Sequence, residues 1–152
     1  MTASALSQLL IHSAGAFGGT LGYAFILNAP IKTVMTASLT GLLGYVIYEV
    51  LMNLMGCGML FSYFLATVVI SIACELEARA MRMPSTIFLL TALVPLVPGY
   101  SFYRAMLALV ENQGGAAAAY GMEAVQIVAA IAVGAAVTSV LFRMLAGARR
   151  RA

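Results

Sequence analysis

Pro84-Ser-Thr-Ile-Phe-Leu-Leu-Thr-Ala-Leu-Val-Pro95-Leu-Val-Pro98-Gly99-Tyr-Ser-Phe-Tyr-Arg104 is an apolar stretch interrupted in its middle. Two prolines and a glycine within five residues remove backbone donors and block the i→i−4 hydrogen-bond ladder. In hydrocarbon the freed amides and carbonyls have no water to turn to. Such a break is therefore tolerated only where protein buries it or where it lines a polar cavity. From Pro84 to Val110 the segment has 27 residues, about 40 Å as continuous helix against roughly 30 Å of hydrocarbon. Pro95 falls about 16 Å in, near the midplane. The expectation is a discontinuous transmembrane helix, the device on which many secondary transporters build their substrate sites. The alternative is a kinked but otherwise ordinary helix.

Composition supports the membrane setting. The chain has 152 residues and only 9% are charged, where soluble domains carry roughly 25%. With 63% hydrophobic residues and a mean hydropathy of +1.02, it cannot cover a water-facing surface and reads as an integral membrane protein. There is no Asp, no Trp and a single His, so metal clusters and Ser-His-Asp chemistry have almost no material. Neither an enzyme nor a cofactor is expected. No glycine-rich phosphate loop occurs, and the run Arg149-Arg150-Arg151 is too short to argue for nucleic acid. Cys57 and Cys74 are expected near opposite membrane faces and read as two small buried thiols. The first apolar stretch starts almost at Met1 without a preceding Lys or Arg and is too long for a signal h-region, so it reads as a retained span.

The fold class that follows is an all-α integral membrane protein, a five-span helical bundle with one discontinuous helix broken at Pro95–Gly99. Spans are expected at about 6–27, 33–52, 57–76, 85–110 (broken) and 122–145, in a single transmembrane domain over 1–152 whose residues 146–152 form a basic cytoplasmic tail. Lys32 lies in the first connection, Arg79 and Arg82 in the third, and Arg143 and Arg149 to Arg151 after the fifth span. The second and fourth connections contain no Lys or Arg. Cytoplasmic loops carry the basic residues, which puts the amino terminus outside and the carboxyl terminus inside. Gly15-xxx-Gly19 and Gly18-xxx-Gly22 in the first span fit the small-xxx-small pattern of close helix contact, as do Ala37-xxx-Gly41 and Ala130-xxx-Gly134. The contact is either within the chain or with a partner.

After the break, Tyr100, Ser101 and Phe102 open a second half-helix. Its first amides lack intrahelical acceptors and sit at the positive end of the helix dipole, a site for an anion near the midplane. Arg104, one turn on, has the geometry to pair a carboxylate. Pro95, Pro98, Gly99, Tyr100, Ser101, Phe102 and Arg104 are thus the candidate pocket for the carboxylate of a small metabolite. The other reading of Arg104 is structural, snorkelling to the interface or pairing a Glu, and Glu49 is the nearest candidate. Glu49 and Glu75 are the candidate proton-coupling carboxylates, each with a plain interfacial reading beside it. Glu75, Glu77, Arg79 and Arg82 alternate in sign at the inner end of the third span. There an i,i+4 ion pair of Glu75 with Arg79 is the default and cytoplasmic gating the alternative. His12 reads as a lone polar contact, Glu123 as the outer end of the fifth span, and Asn28-Ala29-Pro30 as a helix stop. Tyr23, Tyr45, Tyr48, Tyr63 and Tyr103 either line a polar path or sit at interfaces.

Three stretches together resemble the threonine/serine exporter family: Gly22-Tyr-Ala-Phe-Ile-Leu-Asn28-Ala-Pro30, Pro84-Ser-Thr-Ile-Phe with Val94-Pro95-Leu-Val-Pro98-Gly99, and Tyr103-Arg104-Ala-Met-Leu-Ala-Leu-Val-Glu111. The resemblance runs from about Gly15 to the fifth span. It is to the small, separately encoded membrane subunit, equivalent to the carboxyl-terminal half of fused exporters. It implies export of threonine, serine or related small carboxylates across the bacterial cytoplasmic membrane. It also implies a larger partner subunit carrying the other membrane half and whatever a cytosolic domain contributes. An odd number of spans is what a fused tandem needs to form an inverted repeat. The family does not make Arg104 a binding residue; that assignment is physical. The competing class is a non-transporting subunit that stabilises a partner which moves substrate alone.

Overall fold

The computed structural model of the chain, which describes residues 3–149, is all helix, with no strand among the described residues. Six helices follow one another with short connections: α1 Ala3–Ile26, α2 Ile31–Glu49, α3 Met59–Met81, α4 Ser85–Ala92, α5 Gly99–Val110 and α6 Gly114–Arg149. A π-helical turn, Val50–Leu54, extends α2, and a 3-10 turn, Val94–Leu96, lies between α4 and α5. Among the described residues three helical segments are long and apolar enough to cross a membrane, Ile31–Asn53, Met59–Met81 and Gly114–Met144, and a fourth is available if α4 and α5 count as one span bent by 55°. The chain is a multi-pass membrane protein. Of the basic tail expected at 146–152, Arg150 and Arg151 lie outside the described residues.

Helix ends are set by local chemistry. Asn28, Arg82 and Asn112 take the left-handed conformation, with φ of 51°, 55° and 57°. Behind each of them an amide reaches back five residues: Ala29 to the Ala24 carbonyl at 3.0 Å, Met83 to Ala78 at 3.0 Å and Gln113 to Ala108 at 2.8 Å. This closure satisfies carbonyls that a helix end otherwise orphans, and Asn tolerates it better than most side chains. Pro30 and Pro84 then stand at the N-caps of α2 and α4. There their missing N–H costs nothing. The stop expected at Asn28-Ala29-Pro30 is formed.

Packing inverts the soluble pattern. Ile11, Phe25, Leu43, Val133 and Leu141 are exposed on the outer surface, while Thr20, Thr33, Ser38, Ser62, Thr67 and Thr91 are buried. Among lipid-like chains, association rests on close van der Waals fit and interhelical polar contacts rather than on expulsion of water. Several hydroxyls satisfy themselves on their own helix, Thr20 on the Ala16 carbonyl at 2.7 Å, Thr91 on Ile87 at 2.9 Å and Thr138 on Gly134 at 3.0 Å. The apolar core, with Ile70, Cys74, Phe88 and Leu96, lies between α2, α3 and α4.

The glycines divide into two groups. A Cβ on Gly44 would lie 2.1 Å from Ile70 Cδ1, and one on Gly134 would lie 3.0 Å from the Phe64 carbonyl oxygen. These are the close approaches of α2 and α6 to α3. A Cβ at Gly15, Gly18, Gly19 or Gly22 would meet nothing within 4 Å. The glycine face of α1 is open within this chain.

Candidate functional site

The break lies where the sequence places it. Pro95 has no N–H for the Thr91 carbonyl, and the chain passes into the tighter turn Val94–Leu96, with Leu96 bonding Leu93 at 2.9 Å and Val97 bonding Val94 at 3.2 Å. Pro98 then caps α5, and Phe102 donates back to the Pro98 carbonyl at 3.1 Å. The two halves part company. α4 packs against α2 and α3 and touches α1, whereas α5 packs along α6. Protein covers the broken backbone on one side. A Cβ on Gly41 would come within 3.1 Å of the Ala92 carbonyl oxygen and 2.9 Å of Thr20 Oγ1, so α2 can approach only because Gly41 has no side chain. On the other side, Pro98 and Gly99 line an open groove of about 620 Å³ whose further walls include Tyr23, Leu93, Val128 and Ile131. That groove is apolar.

The residues after the break turn different ways. Ser101 faces inward and donates its hydroxyl to Glu123 Oε1 at 3.0 Å. It stands in the first turn of α5, so the anion brought to the positive end of this helix is the chain's own carboxylate. Glu123 lies inside α6, which begins at Gly114. Tyr100, Phe102 and Tyr103 point outward and are exposed. Arg104 Nη2 donates to the Tyr120 hydroxyl at 2.9 Å, and the guanidinium lies 5.0 Å from the centroid of the same ring. The partner of Arg104 is therefore an aromatic of α6. Glu49 is engaged elsewhere, accepting from Asn53 Nδ2 at 2.7 Å and from the Tyr45 hydroxyl at 3.3 Å. Tyr48 stacks on Tyr63 with ring centroids 4.4 Å apart, His12 is exposed, and both cysteines are free.

A second, polar site lies between α3, α4 and α6. Ser71, Glu75 and Arg79 of α3, Ser85 of α4, and Thr138 and Arg143 of α6 line a cavity of about 320 Å³. The i,i+4 pair of Glu75 with Arg79 is absent. Among the described residues no salt bridge forms, and the Arg79 guanidinium instead lies 4.9 Å from the centroid of the Phe142 ring. One turn from Cys74, Glu77 accepts a hydrogen bond from the Thr40 hydroxyl of α2 through Oε1. Its Oε2 is buried without a partner, as are the hydroxyls of Ser38, Thr67 and Ser71. Unpartnered polar atoms are uncommon in protein interiors, and here all four lie on α2 and α3.

In the sequence Glu75 and Arg79 stand out as part of an alternating charge cluster at the end of the third span, but the cavity they line is not legible there. A further signal was present as small polar residues at helical spacing on α3, Ser71 and Cys74, leading to Glu75. Arg143 and Phe142 are brought to it only by the parallel packing of α3 on α6, which sets Thr67 by Gly134 and Arg79 by Phe142.

A family model described as "Threonine/Serine exporter, ThrE" matches residues 12–141. An uncharacterized protein of Haemophilus influenzae is 29% identical over 92 residues, 60% of this chain and 30% of that relative. The matched region thus spans less than a third of the relative's own length. No solved structure matches the chain.

Proposed function

The chain belongs to the threonine/serine exporter family, and from that premise we propose that it is the membrane subunit of a secondary exporter that moves threonine, serine or related small carboxylates out of a bacterial cell. The single observation that supports this most is the 55° break in an apolar helix pair, with α4 held by α2 and α3 while α5 follows α6. Two half-helices anchored to different neighbours can move relative to each other about Pro95–Gly99. That is the mechanical requirement of alternating access. In this reading α1 crosses as well, giving five spans. Lys32, Arg79, Arg82 and Arg143 mark the cytoplasmic end, and the carboxyl terminus is inside.

The substrate path passes the break, with Pro95, Pro98, Gly99 and the first-turn amides of Tyr100 and Ser101 along it. Arg104 ties α5 to α6 through Tyr120, and Phe102 faces outward beside the path. The proton gradient supplies the driving force. Glu75 is the better placed of the two coupling carboxylates because it lines a polar cavity, whereas Glu49 is held by Asn53.

A larger partner subunit carries the other membrane half. The open glycine face of α1 supports such a partner, since close-approach surfaces are built for another helix. The test is efflux of labelled threonine from preloaded cells carrying this chain, its partner, or both. Efflux only with both is the expected result. Full efflux from the partner alone would reduce this chain to an accessory subunit, and no efflux of threonine, serine or small carboxylates from any of the three would overturn the reading.

A further inference from the structure

We infer that the cavity between α3, α4 and α6 binds the zwitterion of a small hydroxylated amino acid, an assignment whose biological meaning rests on the export reading above. Its walls are chemically sorted. Arg79, whose guanidinium carbon lies over the Phe142 ring, and Arg143 supply positive charge. The start of α4 adds to it. Pro84 caps this helix without a side-chain hydrogen bond, which leaves the amides of Ser85 and Thr86 free for an anion at the positive end of the dipole. Glu75 is the one carboxylate in the wall.

A free carboxylate on the Arg79 and α4 side, with an ammonium on Glu75, uses both signs at once. The geometry also supplies a third point. Ser71 lines the cavity, is 4% exposed and has no hydrogen-bond partner for its hydroxyl. Thr138 has donated its proton to the Gly134 carbonyl and offers only lone pairs. A ligand hydroxyl completes both. The volume of about 320 Å³ is at the small end for ligand sites, which run from roughly 300 to 1,000 Å³, so it suits a metabolite and not a peptide.

Calorimetric titration of the protein, purified from membranes into lipid nanodiscs, tests this with L-threonine, L-alanine, threoninamide and N-acetyl-threonine as probes. L-Threonine should bind saturably, L-alanine more weakly, and the two derivatives that lack a carboxylate or an ammonium weakest. Arg79→Gln and Glu75→Gln should each weaken L-threonine by about tenfold or more, the effect of one charge-assisted hydrogen bond. Ser71→Ala should weaken L-threonine but not L-alanine. Because that hydroxyl makes no bond in the protein, melting should not change, which separates binding from folding.

Unchanged L-threonine affinity in Arg79→Gln and Ser71→Ala, or no saturable binding by the wild-type protein, would overturn the assignment. Saturable binding without cellular efflux would remove the export reading and leave the cavity standing. Efflux that persists with Arg79→Gln affinity unchanged would do the reverse.

Discussion

At the scale of the residue, the interior of this protein is decided by atoms that have or lack a partner. Glu77 holds one oxygen on the Thr40 hydroxyl and leaves the other buried and unpaired. Thr40→Val removes the donor and should destabilise the protein by about 1–3 kcal/mol, the cost of orphaning a buried polar group. Glu77→Gln keeps an acceptor for Thr40 and should cost less, so melting in detergent should rank the two variants in that order. Gly44 is constrained by shape instead. A methyl there would meet fully buried Ile70 at 2.1 Å, and Gly44→Ala should cost about 1–3 kcal/mol as overpacking. Adding Ile70→Ala should return part of that loss. The glycine pattern was legible in the sequence, but which glycines are used was not, because the spacing of Gly15 and Gly19 is as regular as that of Ala37 and Gly41.

Elements show the same division between local and distant causes. The helix break was readable because a proline's missing donor acts on its own chain, four residues back. Its consequence, α4 among α2 and α3 with α5 on α6, depends on neighbours that periodicity does not name. Replacing Pro98 with Ala and Gly99 with Leu restores a donor and a helix-forming side chain. A Cβ at 99 meets nothing within 4 Å, so the double variant should insert normally yet lose transport; normal transport would take the break out of the mechanism. On α1, Gly18→Ala should leave the isolated chain as stable or raise it by up to about 1 kcal/mol through helix propensity. The same change should weaken co-purification with the partner subunit, since it places a methyl on the open face.

For the whole molecule the decisive quantity is sidedness. Cysteines introduced singly near Lys32 and near Gln113 should react with a membrane-impermeant thiol reagent from opposite sides of intact cells. A carboxyl-terminal reporter should be protected from outside, and exposure of that terminus to the outside would overturn the proposed topology and its inverted-repeat partner. Sequence alone determined the solvent, the helical class and the position of the break, because low charge, continuous apolar runs and Pro-x-x-Pro-Gly act through composition and through bonds within a few residues. Tertiary structure alone decided that Ser101 answers to Glu123, that Arg104 rests on Tyr120, and that Arg79, Glu75 and Arg143 surround one polar cavity. Those meetings join residues far apart in the chain, and only the packing of α3 and α5 against α6 brings them within reach.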